Sequence, residues 1–374
     1  MNIAARLIGV GTFAYFLVMF CLLIIYTNIS VRSLLRWYVV VLSVMGFFYE
    51  PYITSDLYRI REMMVTFSSM EFPAFIRTYV TNSAVPVARV LYWLVGRTGI
   101  LGLLPAIASA VSYGCIFYIL QDAARRFGSK RQDVALTLLF IMAVGQYMYT
   151  VSNIRTMIAL SLTCLCLYRE TVQKKRIVWY LPLYAVAAMM HTIAVPVIAM
   201  RIVLPIFSRK MSPWKKAAFL TLVAVVCAAV FVVMPNLAEE LLEKVNDYLF
   251  GDSYSYFWEY LIGGAALFVE IYVLRIYAVR APKGEETWNS VRWMLVLCVA
   301  AATVLCFVFS IFHRLVTYIA PILAAPLMLS ILQVNPSVEP AGKIQNRRTL
   351  IAVVSLCMLA LTCSRGALCS FKFY

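Results

Sequence analysis

Apolar residues run through this chain in long blocks separated by short polar clusters. Blocks lie near 7–26, 34–50, 99–120, 133–150, 154–169, 177–191, 192–208, 217–235, 257–279, 292–312, 314–333 and 349–364. An α-helix needs roughly 17–25 mostly apolar residues to cross a bilayer. The pattern therefore predicts an all-α, polytopic integral membrane protein with about twelve transmembrane helices (11–13), a single transmembrane domain over 1–374. The first block follows only Arg6 and lacks a small-residue cleavage site, so it reads as a retained helix rather than a signal peptide. Another apolar piece, Val85 to Val95, is too short to cross and carries Arg89; it reads as a re-entrant or interfacial helix.

Two stretches break the rhythm, 50–98 and 236–258, and both are amphipathic. In the first, Leu57, Ile60, Met64 and Phe67 form a helical stripe beside Arg59, Arg61 and Glu62. In the second, Leu237, Leu241, Val245 and Leu249 recur every four residues among Glu239, Glu240, Glu243 and Asp247. Such helices lie in the membrane interface or pack on the mouth of a bundle.

Composition supports lipid as the main solvent: 63% of residues are hydrophobic and 13% charged, against about 45–50% and roughly 25% in soluble chains. The net charge of +16 has to be read by position. Basic residues cluster in the first turn (Arg32, Arg36) and in the segments 121–132, 169–176, 209–216, 280–291 and 334–348. These alternate along the chain and share one side if both termini face the other, and the positive-inside rule makes that side cytoplasmic. Ten of the seventeen acids then lie outside, in or beside 50–98 and 236–258. Scattered basic clusters between apolar spans do not describe a nucleic-acid binder. The ten cysteines follow no metal or disulfide spacing; Cys369 lies in the tail, and a bridge to Cys363 is not expected.

Arg155 and Arg314 stand out among the ionisable residues. Each is expected near the outer start of a helix, where the dipole disfavours a cation by roughly 0.3–1 kcal/mol. Two such placements on one side suit a site for an anion; snorkelling to lipid headgroups is the plainer alternative. His191 ends a helix in the tight turn Met190-His191-Thr192, and is either a general base near neutral pH or a cap on that turn. Its neighbour in kind, His313, precedes Arg314 with nothing to favour it. Asp56 opens the stretch Ser55-Asp56-Leu57-Tyr58 and is either a helix cap or an outer-face carboxylate for sugar hydroxyls. Tyr58 and the run Tyr254, Tyr256, Phe257, Trp258, Tyr260 could stack on sugars or form an interfacial belt. Deeper in the bundle, Glu270 and Arg201 are expected to pair. No acid or histidine cluster implies a metal, and no cofactor is expected.

Several short motifs resemble those of EpsG-type polysaccharide polymerases, a branch of the Wzy-like group. Asn153-Ile154-Arg155-Thr156-Met157-Ile158-Ala159 resembles an N-x-R-Q-x-I-A signature, with Thr156 in place of its glutamine. Ala187-Ala188-Met189-Met190-His191-Thr192-Ile193-Ala194 resembles an A-x-x-F-H-x-S-A element, and Lys174-Lys175-Arg176 matches the basic turn before it. Thr54-Ser55-Asp56-Leu57-Tyr58 is similar to G-x-D-x-x-x-Y in degenerate form, and Arg314 with Tyr318 resembles R-x-x-x-Y.

The resemblance implies a GT-C-like glycosyltransferase of the bacterial inner membrane, with its active site facing the periplasm. It would join repeat units carried on undecaprenyl diphosphate by transferring the growing chain to a fresh lipid-linked unit. Arg155 and Arg314 would hold the leaving diphosphate, and His191 would take the acceptor's proton, with Asp56 as its alternative or as a substrate orienter. Tyr58 and Tyr318 would touch sugar. The implied partners are the lipid-linked oligosaccharide, the bilayer and a chain-length regulator protein. The competing readings are a lipid-linked oligosaccharide flippase or transporter, and an O-antigen ligase-type transferase.

Overall fold

The computed structural model describes residues 3–51, 55–81, 83–145, 147–208, 212–215, 217–218, 221, 257–280, 286–333, 340–364 and 370–371. Nearly all of the expected span 217–235 and of the outer segment 236–258, and the basic residues Arg209, Lys210, Lys216 and Lys283, lie outside the described residues, as do Tyr254, Tyr256 and Cys369.

The described residues fold almost entirely into helices. The first half contains α1 (Ile3–Tyr26), α2 (Val31–Phe47), α3 (Asp56–Ser68), α4 (Phe72–Phe75), α5 (Pro86–Arg97), α6 (Leu103–Phe127), α7 (Arg131–Val144), α8 (Tyr147–Ser152) and α9 (Ile154–Thr171). There follow α10 (Leu181–Met190), α11 (Ala194–Ser208), α12 (Phe257–Arg280), α13 (Glu286–Val304), α14 (Phe309–Arg314), α15 (Ala320–Leu332) and α16 (Ala341–Ser364). Two-residue strands, β1 (Tyr49–Glu50) and β2 (Ser370–Phe371), pair antiparallel. Among the described residues, four helices are long and apolar enough to cross a membrane: Leu103–Phe127, Glu259–Val279, Ile311–Leu332 and Gly342–Cys363. Exposed Val18, Leu22, Val40, Val44, Phe268, Ile271 and Leu356 form an outer surface suited to lipid. The last part of the chain supplies the centre. α15 is apolar all round, so it is buried on all sides, with Ala324, Leu327, Met328 and Leu329 at most 1% exposed.

One end of the bundle gathers the basic turns. Arg131 donates to the carbonyls of Ile24 and Ile29, tying the α1–α2 turn to the start of α7. Arg348 on α16 grips buried Asp133 on α7 through two parallel hydrogen bonds of 2.7 and 3.0 Å. Buried Asp122 on α6 accepts from Arg125, Arg126, Tyr168 and Gln173. The turns at residues 27–30, 128–130 and 172–173 and the start of α16 thus lie together. α2 ends and α6 begins at the opposite end of the bundle. α5, twelve residues long, stays with α3 and α4 at the opposite end.

That opposite end is a built cap. The stripe Leu57, Ile60, Met64 and Phe67 is buried as expected, and Gly96 lets α5 approach α3 so closely that a Cβ there would lie 2.5 Å from the Met64 carbonyl. Arg97 donates to the Ser68 carbonyl, Trp93 to that of Met70, and Arg89 to that of Tyr79. Arg61 binds Glu50 at 3.1 Å and the Tyr49 carbonyl at 2.8 Å, joining α3 to β1.

Three expectations are corrected. Arg201 pairs with Glu170, not Glu270; both oxygens of Glu270 are buried without a hydrogen-bond partner among the described residues, because the α9–α11 packing claims the arginine first. Arg314 does not start a helix: α14 begins at Phe309 and runs through a π-helix, Leu315–Ile319, into α15. The predicted spans 133–150 and 292–312 end early, α7 at Val144 and α13 at Val304. Their remaining apolar residues form short turns and helices at the bundle end, a difference that hydropathy does not encode.

Candidate functional site

Ser55, not Asp56, caps α3: its Oγ accepts from the Tyr58 backbone N–H at 3.3 Å. Asp56 therefore occupies the first helical position, and its carboxylate is available for another partner. That partner is Arg155, in the first turn of α9, whose Nη2 lies 3.1 Å from Oδ2 and 3.4 Å from Oδ1 of Asp56. The residues are 99 positions apart in sequence. Their side chains are 27% and 30% exposed, so the pair is reachable from outside while resting on packed helices.

α5 adds a residue that sequence reasoning missed. Tyr92 is 2% exposed, and its hydroxyl makes no hydrogen bond among the described residues. It lies close enough to Arg155 and Asp56 for both charges to act on it. Burial pushes this phenol well above the usual tyrosine range; Arg155 pulls it down and Asp56 adds to the rise. It is a neutral donor held beside an ion pair, inside a segment that hydropathy marks only as too short to span.

The turn after α10 holds His191. Its Nδ1 accepts from the Ile193 backbone N–H at 3.0 Å, and the His191 backbone N–H closes the helix on the Ala187 carbonyl. An accepting Nδ1 places the proton of the neutral ring on Nε2. In this geometry His191 both caps its turn and presents an N–H donor. α10 packs against α9 and α5, the helices that carry Arg155 and Tyr92.

Arg314 precedes the π-helix Leu315–Ile319 and Tyr318 lies within it, an irregularity often found at functional sites. Tyr318 is buried, edge-on to His313 at 5.4 Å between ring centroids and to Tyr149 at 6.1 Å. Asn153, which leads into α9, makes no side-chain cap on that helix and faces Tyr318 instead. The segment bearing Arg314 is thus keyed to the turn bearing Arg155. Tyr58 is half-buried on α3. Among the described residues, no group of three His, Cys, Asp or Glu side chains is placed to hold a metal ion.

The structure therefore brings Asp56, Arg155 and Tyr92 together, and anchors the Arg314 and His191 segments on the helices around them. Residues 98–363 match the family model described as the EpsG family. No curated protein and no solved structure matches the chain. The match covers Arg155, His191, Arg314 and Tyr318, and stops short of Asp56, Tyr58 and Tyr92.

Proposed function

The chain belongs to the EpsG family of membrane polysaccharide polymerases, and on that premise we propose that it polymerises lipid-linked oligosaccharide repeat units. In this reading it is a glycosyltransferase of the bacterial inner membrane, on an about twelve-span, GT-C-like scaffold. Its substrates ride on undecaprenyl diphosphate, its site faces the periplasm, and a chain-length regulator protein is an added partner. The observation that carries the reading is the Asp56–Arg155 pair at 3.1 Å, a carboxylate and a guanidinium assembled at the mouth of an apolar bundle.

The chemistry is a displacement at the anomeric carbon of the growing chain. A hydroxyl oxygen of the incoming unit forms the new C–O bond, and the bond to the diphosphate oxygen breaks with its electron pair. A diphosphate is already a stable anion when it leaves, so the site must hold negative charge rather than protonate a leaving group. Arg155 and Arg314 supply that field. The substrate diphosphate competes with Asp56 for Arg155, so its binding releases the carboxylate to take the hydroxyl proton. With Nε2 protonated, His191 suits hydrogen bonding to a diphosphate or sugar oxygen; it takes a proton only if its contact with Ile193 N–H opens. Tyr92 offers its unused O–H to the same substrate, and Tyr58 lies at the rim for sugar.

The test is glycan length in a deletion strain complemented with the parent gene, Arg155→Ala or Asp56→Asn at matched membrane levels. A ladder with the parent and single repeat units with both variants is the expected result. With purified protein and one lipid-linked oligosaccharide, a ladder is expected; a single transfer would instead indicate a ligase, and no product a transporter.

A further inference from the structure

The basic end of the bundle holds a second feature, remote from the reaction described above. There α2 and α6 enclose a cleft of ≈ 350 Å³. Its polar lining is Arg32 and Arg36 from α2 with Tyr118 and Gln121 from α6; Leu35, Val39, Phe117 and Gly114 continue it as an apolar groove. Arg32 and Arg36 are one helical turn apart and share a face. Neither has a salt-bridge partner among the described residues. Most other cations at this end are engaged: Arg125 and Arg126 by Asp122, Arg131 by two carbonyls, Arg348 by Asp133.

Tyr118 independently points to an anion. Gln173 Nε2 donates to its hydroxyl oxygen at 2.8 Å, so the phenolic proton must be directed elsewhere, and it finds no acceptor among the described residues. The Arg169 guanidinium lies over the ring, 5.1 Å from its centroid. Two uncompensated arginines and one spare O–H line a space with no acid in its wall among the described residues, and Arg169 lies beside it.

The apolar half identifies the source of the anion. Gly114 has open space where a Cβ would stand, which keeps the groove wall low. On the same helix as the arginines, Val40 and Val44 are each 50% exposed and Trp37 is 64% exposed, an indole of the kind enriched at membrane interfaces. A free phosphate would use only the polar half. We propose that the cleft binds an anionic phospholipid of the leaflet at the basic end. The phosphodiester lies between Arg32, Arg36 and the Tyr118 hydroxyl, and one acyl chain runs along Val39 and Phe117 over Gly114. Basic pockets between transmembrane helices are known to take such headgroups.

Native mass spectrometry of the full-length, detergent-purified protein tests this. The probes are phosphatidylglycerol, phosphatidylcholine of the same acyl chains, and inorganic phosphate. The expected result is retained phosphatidylglycerol, little phosphatidylcholine, and no displacement by millimolar phosphate. Arg32→Gln with Arg36→Gln should weaken retention by about fivefold per arginine, roughly 25-fold together. Gly114→Leu fills the groove and should weaken it with both arginines intact, whereas Arg77→Gln, on the exposed opposite end, should leave it unchanged. Equal retention of the two lipids, retention that survives both variants, or displacement by phosphate would each overturn the proposal. Elution of each variant as the parent monodisperse peak separates lost binding from lost fold.

Discussion

Replacing Arg155 with alanine, alone and together with Asp56→Asn, puts the proposed site to its sharpest test. At 3.1 Å and an effective dielectric near 20, the gross attraction is about 5 kcal/mol. Desolvation and the ordering of two half-exposed side chains remove most of it, and the net contribution to stability is about 1 kcal/mol. Either variant should therefore stay folded, with a thermal midpoint within a few degrees of the parent. Activity should respond much more strongly. A guanidinium aimed at charge that builds up during the reaction is expected to contribute like one oxyanion donor, about 10²–10³ in rate. Asp56→Asn removes the proton acceptor and should cost about 10²–10⁴. Because the two act on one substrate in one step, the double variant should be little worse than the poorer single variant. The assay is the initial rate of chain extension from one lipid-linked oligosaccharide in proteoliposomes, with melting curves on the same preparations. A folded Arg155→Ala enzyme within about twofold of the parent would refute the reasoning, as would single losses that multiply in the double variant.

Tyr92→Phe should lower the extension rate by about tenfold while leaving the melting curve unchanged or slightly raised, since the hydroxyl removed is buried without a partner among the described residues. His191→Asn can still accept from the Ile193 N–H and should keep the turn. Retained polymerisation in that variant would assign His191 to the turn, and a loss matching His191→Ala would assign it to the chemistry. Gly96→Ala drives a methyl to 2.5 Å from the Met64 carbonyl; it should push α5 from α3 and lower the extension rate, read together with cross-linking between cysteines placed on the two helices. Arg348→Met leaves Asp133, 1% exposed, without its cation and should cost about 3 kcal/mol of stability. Asp133→Asn in the same chain should recover most of it, as measured by thermal unfolding in detergent.

The expectation that Glu270 and Arg201 pair shows where pattern reasoning gives out. Both are ionisable residues in apolar helices, and hydropathy offers no way to choose between Glu270 and Glu170 as the arginine's partner. The choice depends on which helices pack and at what height. Tyr92 is a similar case: one aromatic among many in a segment with no periodic signature of function, and significant only because two charges from elsewhere in the chain reach it. The chance of finding it from sequence lay in the misfit of the segment itself, too short to span and too apolar for a loop.

What the sequence determined by itself is what depends on local composition and on the bilayer. Helices follow because lipid offers the backbone no hydrogen bonds. The family follows from the short motifs at Arg155, His191 and Arg314. The buried stripe of α3 follows from its periodicity. Tertiary structure alone decided the pairing of Asp56 with Arg155, across 99 residues. It also decided the placement of Arg314 within a continuous helix that includes a π turn, and the cleft between α2 and α6. The physical reason is common to all three. Side-chain charge and hydrogen bonding act over a few ångströms, and the distances at that scale are set by helix packing, which no local window of residues contains.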